Sequence, residues 1–231
     1  MQKIIVLSGA GVSAESGIRT FRDAGGLWEQ YPVMDVASLD GWKRNPQRVL
    51  QFYNERRQQA ALANPNEGHL GLAELEQKFE VHIITQNVDA LHEKAGSTRV
   101  LHLHGELTKA RSCGDPSLVY DIGDKPIHWG DTCEKGFQLR PHIVWFGESV
   151  PAMEQAIAIT RTADIFVVVG TSLSVYPAAG LIDFVSDETQ VFIIDPENIP
   201  IPSSHKVTHF KMKASEGVAR LKEIFLLNST P

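Results

Sequence analysis

Short apolar runs punctuate this chain at intervals. Lys3–Ser8 (KIIVLS) is apolar and β-branched almost throughout and ends in glycines. Similar runs recur at Val81–Thr85, Val100–His102, Ile143–Phe146, Ile165–Gly170 and Val191–Asp195. Apolar runs of this length, bounded by turn residues, predict strands buried on both faces. Between several of them apolar residues recur at three- and four-residue spacing, over Glu67–Lys78, Pro151–Thr162, Ala178–Ser186 and Ser215–Leu227. That spacing predicts helices with one apolar side. Strands alternating with helices predict an α/β fold, a parallel sheet with helices on both faces.

Two stretches break the alternation. Residues 23–66 are rich in Arg, Gln and Asn and hold no strong strand, and residues 106–142 are rich in Gly, Asp and Pro. Both read as insertions that build a smaller lobe within one domain spanning residues 1–231. Asn228–Pro231 is expected to fray.

Composition narrows the function classes. Hydrophobic residues make up 42% and charged residues 22%, the balance of a globular protein. A net charge of −6 and a pI near 5.8 argue against nucleic acid as a partner, because phosphate binding needs a basic surface. The opening MQKIIVLSGAG is a strand followed by glycines rather than a signal peptide, and no run reaches the length of a membrane span. A cytoplasmic protein that begins near Met1, with Cys113 and Cys133 as free thiols, is expected. The oligomeric state is not legible.

Candidate chemistry gathers where the apolar strands end. Gly9, Gly11 and Ala14 give G-x-G-x-x-A directly after the first strand, a turn that brings backbone and a helix N-terminus close to a pyrophosphate. A plain strand-to-helix turn has the same pattern. A dehydrogenase would continue into a second strand ending in an acid about 20 residues on. Here the chain enters the 23–66 insertion instead, which disfavours hydride transfer. After the second run come Gln86, Asn87 and Asp89, able to bond ribose hydroxyls and a carboxamide, or to cap the helix holding Leu91. His102 and His104 alternate on one strand face, and His104 precedes a glycine at the strand end, a suitable place for a proton carrier. Gly170, Thr171 and Ser172 offer a second small turn with two hydroxyls, for a phosphate, a ribose or a helix cap.

Taken together the chain resembles the sirtuin family. The pieces are GAGVSAESGIRTFR (Gly9–Arg22), TQNVDALH (Thr85–His92), LHGEL (Leu103–Leu107), PHIVWFGE (Pro141–Glu148) and GTSL (Gly170–Leu173), in family order. The resemblance implies a Rossmann-like large lobe and consumption of NAD as co-substrate. It implies that Gly9, Ala10, Gly11 and Ser13 cradle the pyrophosphate, and that Phe21 and Arg22 belong to a loop over the nicotinamide ribose. Gln86 and Asn87 would contact the ribose, Ile18, Val88 and Asp89 the nicotinamide, and Gly170, Thr171 and Ser172 the adenosine side. His104 matches the catalytic base, and Val144 through Glu148, with Phe146 and Gly147, the strand that pairs with the substrate peptide. The implied reaction is transfer of a lysine acyl group to ADP-ribose. The acyl oxygen attacks C1′, nicotinamide leaves, and His104 deprotonates the ribose diol.

The acyl class is also marked. Tyr53 and Arg56 sit three apart in a helical stretch and match the Tyr-x-x-Arg pair of the subclass that removes succinyl and malonyl groups. Ala37 matches the small residue that leaves room for a longer acyl chain. Periodicity alone allows Arg57 equally, or a solvated helix charge.

Two departures stand out. Most sirtuins bind zinc through two CxxC pairs between the His-Gly and FGE pieces, but residues 106–142 hold only Cys113 and Cys133. A metal-free lobe packed around Leu118, Ile127, Trp129 and Leu139 is expected, with a mixed site through His128 or Asp131 as the lesser alternative. Asp195 stands where the family usually has Asn. It is expected to bond both adenosine ribose hydroxyls and to favour NAD over NADP. The competing functions are a mono-ADP-ribosyltransferase or NAD glycohydrolase, and a non-catalytic NAD- or ADP-ribose-binding module.

Overall fold

The structure, a computed structural model, describes residues 1–20, 31–199 and 206–227. In chain order it contains β1 (Lys3–Ser8), α1 (Ala10–Ala14), α2 (Val33–Val36), α3 (Leu39–Arg44), α4 (Pro46–Leu62), α5 (Glu67–Glu74), β2 (Glu80–Thr85), α6 (Leu91–Lys94) and β3 (Val100–His102). Then follow β4 (Gly105–Ser112), β5 (Val119–Asp121), β6 (Leu139–Ile143), α7 (Met153–Thr160), β7 (Ile165–Val169), β8 (Gln190–Ile194), β9 (Lys206–Phe210) and α8 (Ala214–Lys222).

The large sheet has the order β3-β2-β1-β7-β8-β9, and every pairing in it is parallel. Strands added after β1 run first to one side and later to the other, so the order reverses between β1 and β7. Chain leaving these two neighbours turns to opposite faces and leaves a crevice at their carboxyl ends. Both faces are covered, as the apolar runs require. Ile4 and Val6 pack with Leu72, Val218 and Leu221 of α5 and α8, while Ile5 and Leu7 pack with Ala156, Leu181 and Ile182. Full burial of Ile4, Ile5, Val6 and Leu7 contributes roughly 1.5–3 kcal/mol each before entropy is counted.

The 106–142 stretch forms a three-stranded antiparallel sheet, β5-β4-β6. Its inner face joins the 23–66 stretch: Leu107, Ile143 and Trp145 pack against Val36, Val49, Phe52 and Tyr53. The long helix α4 is secured at both ends. Asn45 Oδ1 accepts from Arg48 N ahead of Pro46 at the first turn. Lys94 Nζ donates to the carbonyls of Ala60, Ala61 and Ala63 at the other end.

The structure corrects several sequence-based boundaries. The run read as a strand at Ile143–Phe146 is the end of β6 and the chain beyond it, since pairing starts at Leu139 and the ladder stops at Ile143. Past that point Val144 N donates to His104 O and Phe146 N to Ala37 O, single bonds that bind the segment to two different elements. Ala178–Phe184 is a 3₁₀ stretch rather than an α-helix. The edge strand β9 gave no apolar signal, because Lys206 and Val207 are exposed and the rest half-buried.

Candidate active site

A cleft of about 660 Å³ lies at the carboxyl ends of β1 and β7 and runs between the two lobes. Loops after both strands form its floor. Gly11 N donates to Gly170 O at 2.8 Å and Gly9 N to Val169 O at 3.0 Å. A Cβ on Gly11 would stand 2.7 Å from Gly170 Cα, and one on Gly9 would stand 2.5 Å from Thr171 Cβ. Gly170 itself has φ +61 and faces the backbone of Gly11 and Val12. These glycines are therefore required first by loop-on-loop packing, which in turn leaves bare backbone at the cleft. Thr171 and Ser172 line the same wall, and Gln86 Nε2 ties across to Thr171 Oγ1 at 3.0 Å.

His104 lines the same cleft. Its Nδ1 is 3.0 Å from Gln86 O, and a carbonyl can only accept, so Nδ1 carries the proton and Nε2 keeps its lone pair. Burial lowers the ring's pKa from the ordinary value, and the bond to Gln86 only partly opposes this. The result is a neutral imidazole at the cleft, the form a general base needs. His102 differs, although it shares that side of the chain. Its Nδ1 donates to Asn87 O at 2.9 Å and its Nε2 meets Glu93 Oε1 at 2.8 Å. Burial opposes charge there, but the Glu93 carboxylate prevails and raises the pKa. His102 is therefore a strut, tied at both ring nitrogens.

Behind the cleft lies a buried polar network. Ser8 Oγ donates to Thr85 Oγ1 and accepts from His92 Nε2 at 2.9 Å. Asn87 Nδ2 donates to Gly9 O and Ser13 Oγ, and Ser13 Oγ donates to Asp89 Oδ2 at 3.1 Å. His69 Nε2 lies 3.4 Å from Ser13 Oγ, and its Nδ1 accepts from Asn66 N. Apart from His92 Nδ1, which has no partner among the described residues, these bonds run in one consistent direction and fix the loops carrying Gly9 and Asn87.

A crevice at the switch point, lined by bare backbone and an oriented imidazole, has the layout of a dinucleotide site. The sequence profile of the Sir2 family matches residues 9–177. The chain belongs to the Sir2 family. It is 52% identical over 231 residues to an NAD-dependent protein deacylase of Bacteroides thetaiotaomicron, covering 98% of this chain and 99% of that one. It is 54% identical over 197 residues to a Helicobacter pylori protein of the same name, covering 85% and 84%. A solved Sir2 homologue–NAD complex is similar at a TM-score of 0.89 and 35% identity, over 99% of this chain and 91% of that one.

In this Sir2 cleft the residues singled out by the sequence separate into two sets. Gly9, Ala10, Gly11, Gln86, Asn87, Val88, His104, Gly170, Thr171, Ser172 and Asp195 line it, as do Ala37, Tyr53, Val144, Phe146, Gly147 and Glu148. Ser13, Ile18, Asp89 and Arg56 are not among the lining residues. Ser13 and Asp89 belong to the network behind the wall, and Asp89 Oδ1 also accepts from Leu91 N, the capping alternative. Ile18 is half-buried, its N donating to Ser13 O. Phe21 and Arg22 lie outside the described residues. Asp195 Oδ1 accepts from Glu197 N, and Asp195 O is bonded by His209 Nε2. Glu148 lines the cleft, but its carboxylate is shared by Arg111, Arg140 and Trp145 N.

Tyr53 and Arg56 have different surroundings. Tyr53 faces the cleft. Arg56 Nε and Nη1 are buried without a hydrogen-bond partner among the described residues, and Nη2 stands 3.8 Å from Glu55. Arg57, the alternative by periodicity, is 2% exposed and donates to Leu107 O and Asn54 Oδ1, which makes it a tie between the two insertions of the small lobe.

In the small lobe Cys133 is buried with its Sγ 3.3 Å from Ser112 Oγ, and Cys113 is exposed. Asp131 accepts from His128 N. Among the described residues no group of three or more His, Cys, Asp or Glu is placed to hold a metal. Ile127 packs with Leu50 and Ala110, and Leu139 rests against them, but Trp129 is 55% exposed, so it is not the core residue expected.

Sequence reasoning missed His69, His92, Ser8 and Thr85. His92 lay inside a quoted motif and His69 on a predicted helix, and only the paired burial of both reveals their role. It also missed Tyr176 and Lys213, which line the cleft, and gave the Trp145 ring no role of its own within the Val144–Glu148 segment.

Proposed function

We propose that this NAD-dependent protein deacylase removes succinyl and malonyl groups from lysine, and acetyl groups as well. The observation that carries the acyl class is Arg56, whose Nε and Nη1 are buried with no partner among the described residues, one helical turn from cleft-lining Tyr53. Buried guanidinium donors left unpaired are costly, and a carboxylate satisfies two at once. An acyl chain ending in a carboxylate supplies that partner.

The residues present fit NAD. Bare backbone at Gly9, Gly11 and Gly170 admits a close-lying diphosphate, and Thr171, Ser172 and Asp195 provide hydroxyl-binding groups farther along the cleft. NAD, when bound, supplies a ribose carbon that nicotinamide can leave and a diol that can take the acyl group. Gln86 O fixes the tautomer of His104, so that Nε2 can take a proton from a ribose hydroxyl. Val88, Ile143 and Trp145 give the cleft an apolar lining, which disfavours water beside that exchange. Phe146 and Gly147 at the rim support the reading that the substrate backbone lies there. Cytoplasmic location belongs to the same reading, supported by two free thiols.

The test is turnover of acetyl, malonyl and succinyl peptides with NAD, with O-acyl-ADP-ribose as the measured product. NAD breakdown without acyl-peptide would favour a glycohydrolase instead. Arg56→Met is expected to lower succinyl turnover by roughly 10- to 100-fold, the worth of a charge-assisted hydrogen bond. Equal losses on acetyl peptide would remove Arg56 from acyl recognition.

A further inference from the structure

We infer that Trp145 is a positioning residue for acyl recognition, its indole N–H holding the Tyr53 phenol so that the phenolic proton is directed at the acyl group. The inference rests on the acyl-pocket reading above and adds how the pocket sets the direction of its neutral donor.

Trp145 Nε1 lies 3.1 Å from Tyr53 Oη. Indole nitrogen can only donate, so the phenol oxygen must accept there. The phenol's own proton is thereby turned away from Trp145, and no acceptor for it occurs among the described residues. Tyr53 is 5% exposed and lines the cleft, so the acceptor must come from what the cleft binds. Burial raises the phenol's pKa above its ordinary range, so the group is a neutral donor at any working pH.

The indole is held independently of substrate. Arg140 stacks on it, with Cζ 3.3 Å from the ring centroid. Arg140 is fixed by Glu148 at 2.8 and 3.1 Å and donates to Ile143 O. Glu148 also accepts from Trp145 N at 2.8 Å, so one carboxylate holds both the backbone and the stacking partner of the ring. Trp42 lies 5.6 Å away, and Trp145 is 1% exposed. A ring held this firmly sets the phenol's direction at little entropic cost per substrate bound.

The experiment is a double-mutant cycle of Trp145→Phe and Tyr53→Phe, read as kcat and KM on succinyl and acetyl peptides at saturating NAD. Trp145→Phe is expected to raise KM for succinyl peptide about fivefold, the worth of a neutral hydrogen bond. Acetyl-peptide kinetics are expected to change less, and Tyr53→Phe with Trp145→Phe should lose little more than Tyr53→Phe alone. Parallel losses on both peptides, or additive losses in the cycle, would overturn the inference. If Trp145→Phe does not fold, benzothienylalanine at 145 replaces the N–H by sulfur in the same ring shape and reads the same quantities. A wild type that prefers acetyl peptide would sink the dicarboxylic reading separately. The cycle would then be read on acetyl peptide, where additivity still overturns the positioning role.

Discussion

Lowering the pH from 7.5 to 5 asks His69 to take a proton in a place with no water to solvate it. The ring is 0% exposed, and burial lowers its pKa from 6.5 to about 4 despite the opposing fields of Glu15 and Glu93. Below pH 6.5 the unfolded chain gains a proton here that the folded chain refuses until about pH 4. The unfolded state then binds more protons, so stability falls as pH falls through that window. With those two values the linkage relation gives a loss of about 2 kcal/mol between pH 7.5 and 5. His92, its ring 4.9 Å away and its pKa also pushed far down by burial, acts in the same direction. The control is His69→Gln. His69 is the third helical residue after Asn66 and accepts from its backbone N–H, a role Gln also fills in capping boxes. Urea unfolding followed by circular dichroism at both pH values measures the difference. His69→Gln is expected to lose about 2 kcal/mol less than wild type on acidification. Equal losses in the two proteins would refute the reasoning, because the proton uptake would then belong elsewhere.

Three further outcomes follow from the cleft. Since burial keeps His104 neutral, deacylation kcat/KM should rise with pH through a value below 6.5 and then stay level. His104→Ala should lower turnover by about 100- to 10,000-fold while NAD still binds by calorimetry; an acid limb centred above 6.5, measured where the enzyme remains folded, would contradict the base assignment. Gly11→Ala places a Cβ 2.7 Å from Gly170 Cα, backbone against backbone. It should cost about 1–3 kcal/mol and raise KM for NAD, and an unchanged KM would show that the two loops do not need this contact.

The apolar runs were enough to give the parallel sheet, because a strand buried on both faces must be apolar throughout, and β1 and β7 read that way directly. The glycine loops, the strand-end amides and His104 were legible because ligands in open sheets bind beyond strand ends. The small antiparallel sheet was not. In β4 one face packs on α4 and the other meets solvent, and a register shift between Glu106 and Ala110 breaks the alternation. Arg56 and Arg57 are neighbours in sequence with the same charge, and only the packing of α4 shows that Arg57 spans to Leu107 while Arg56 has buried donors unpaired. The same holds for Ser13, Asp89, His69 and His92, whose directions depend on partners up to 84 residues away. Sequence alone determined which segments must be buried and where small residues let loops touch, since these are local demands on side-chain size and polarity. Tertiary structure decided which titratable groups face the cleft and which are sealed behind it, because hydrogen-bond direction and desolvation depend on neighbours the chain supplies only when folded.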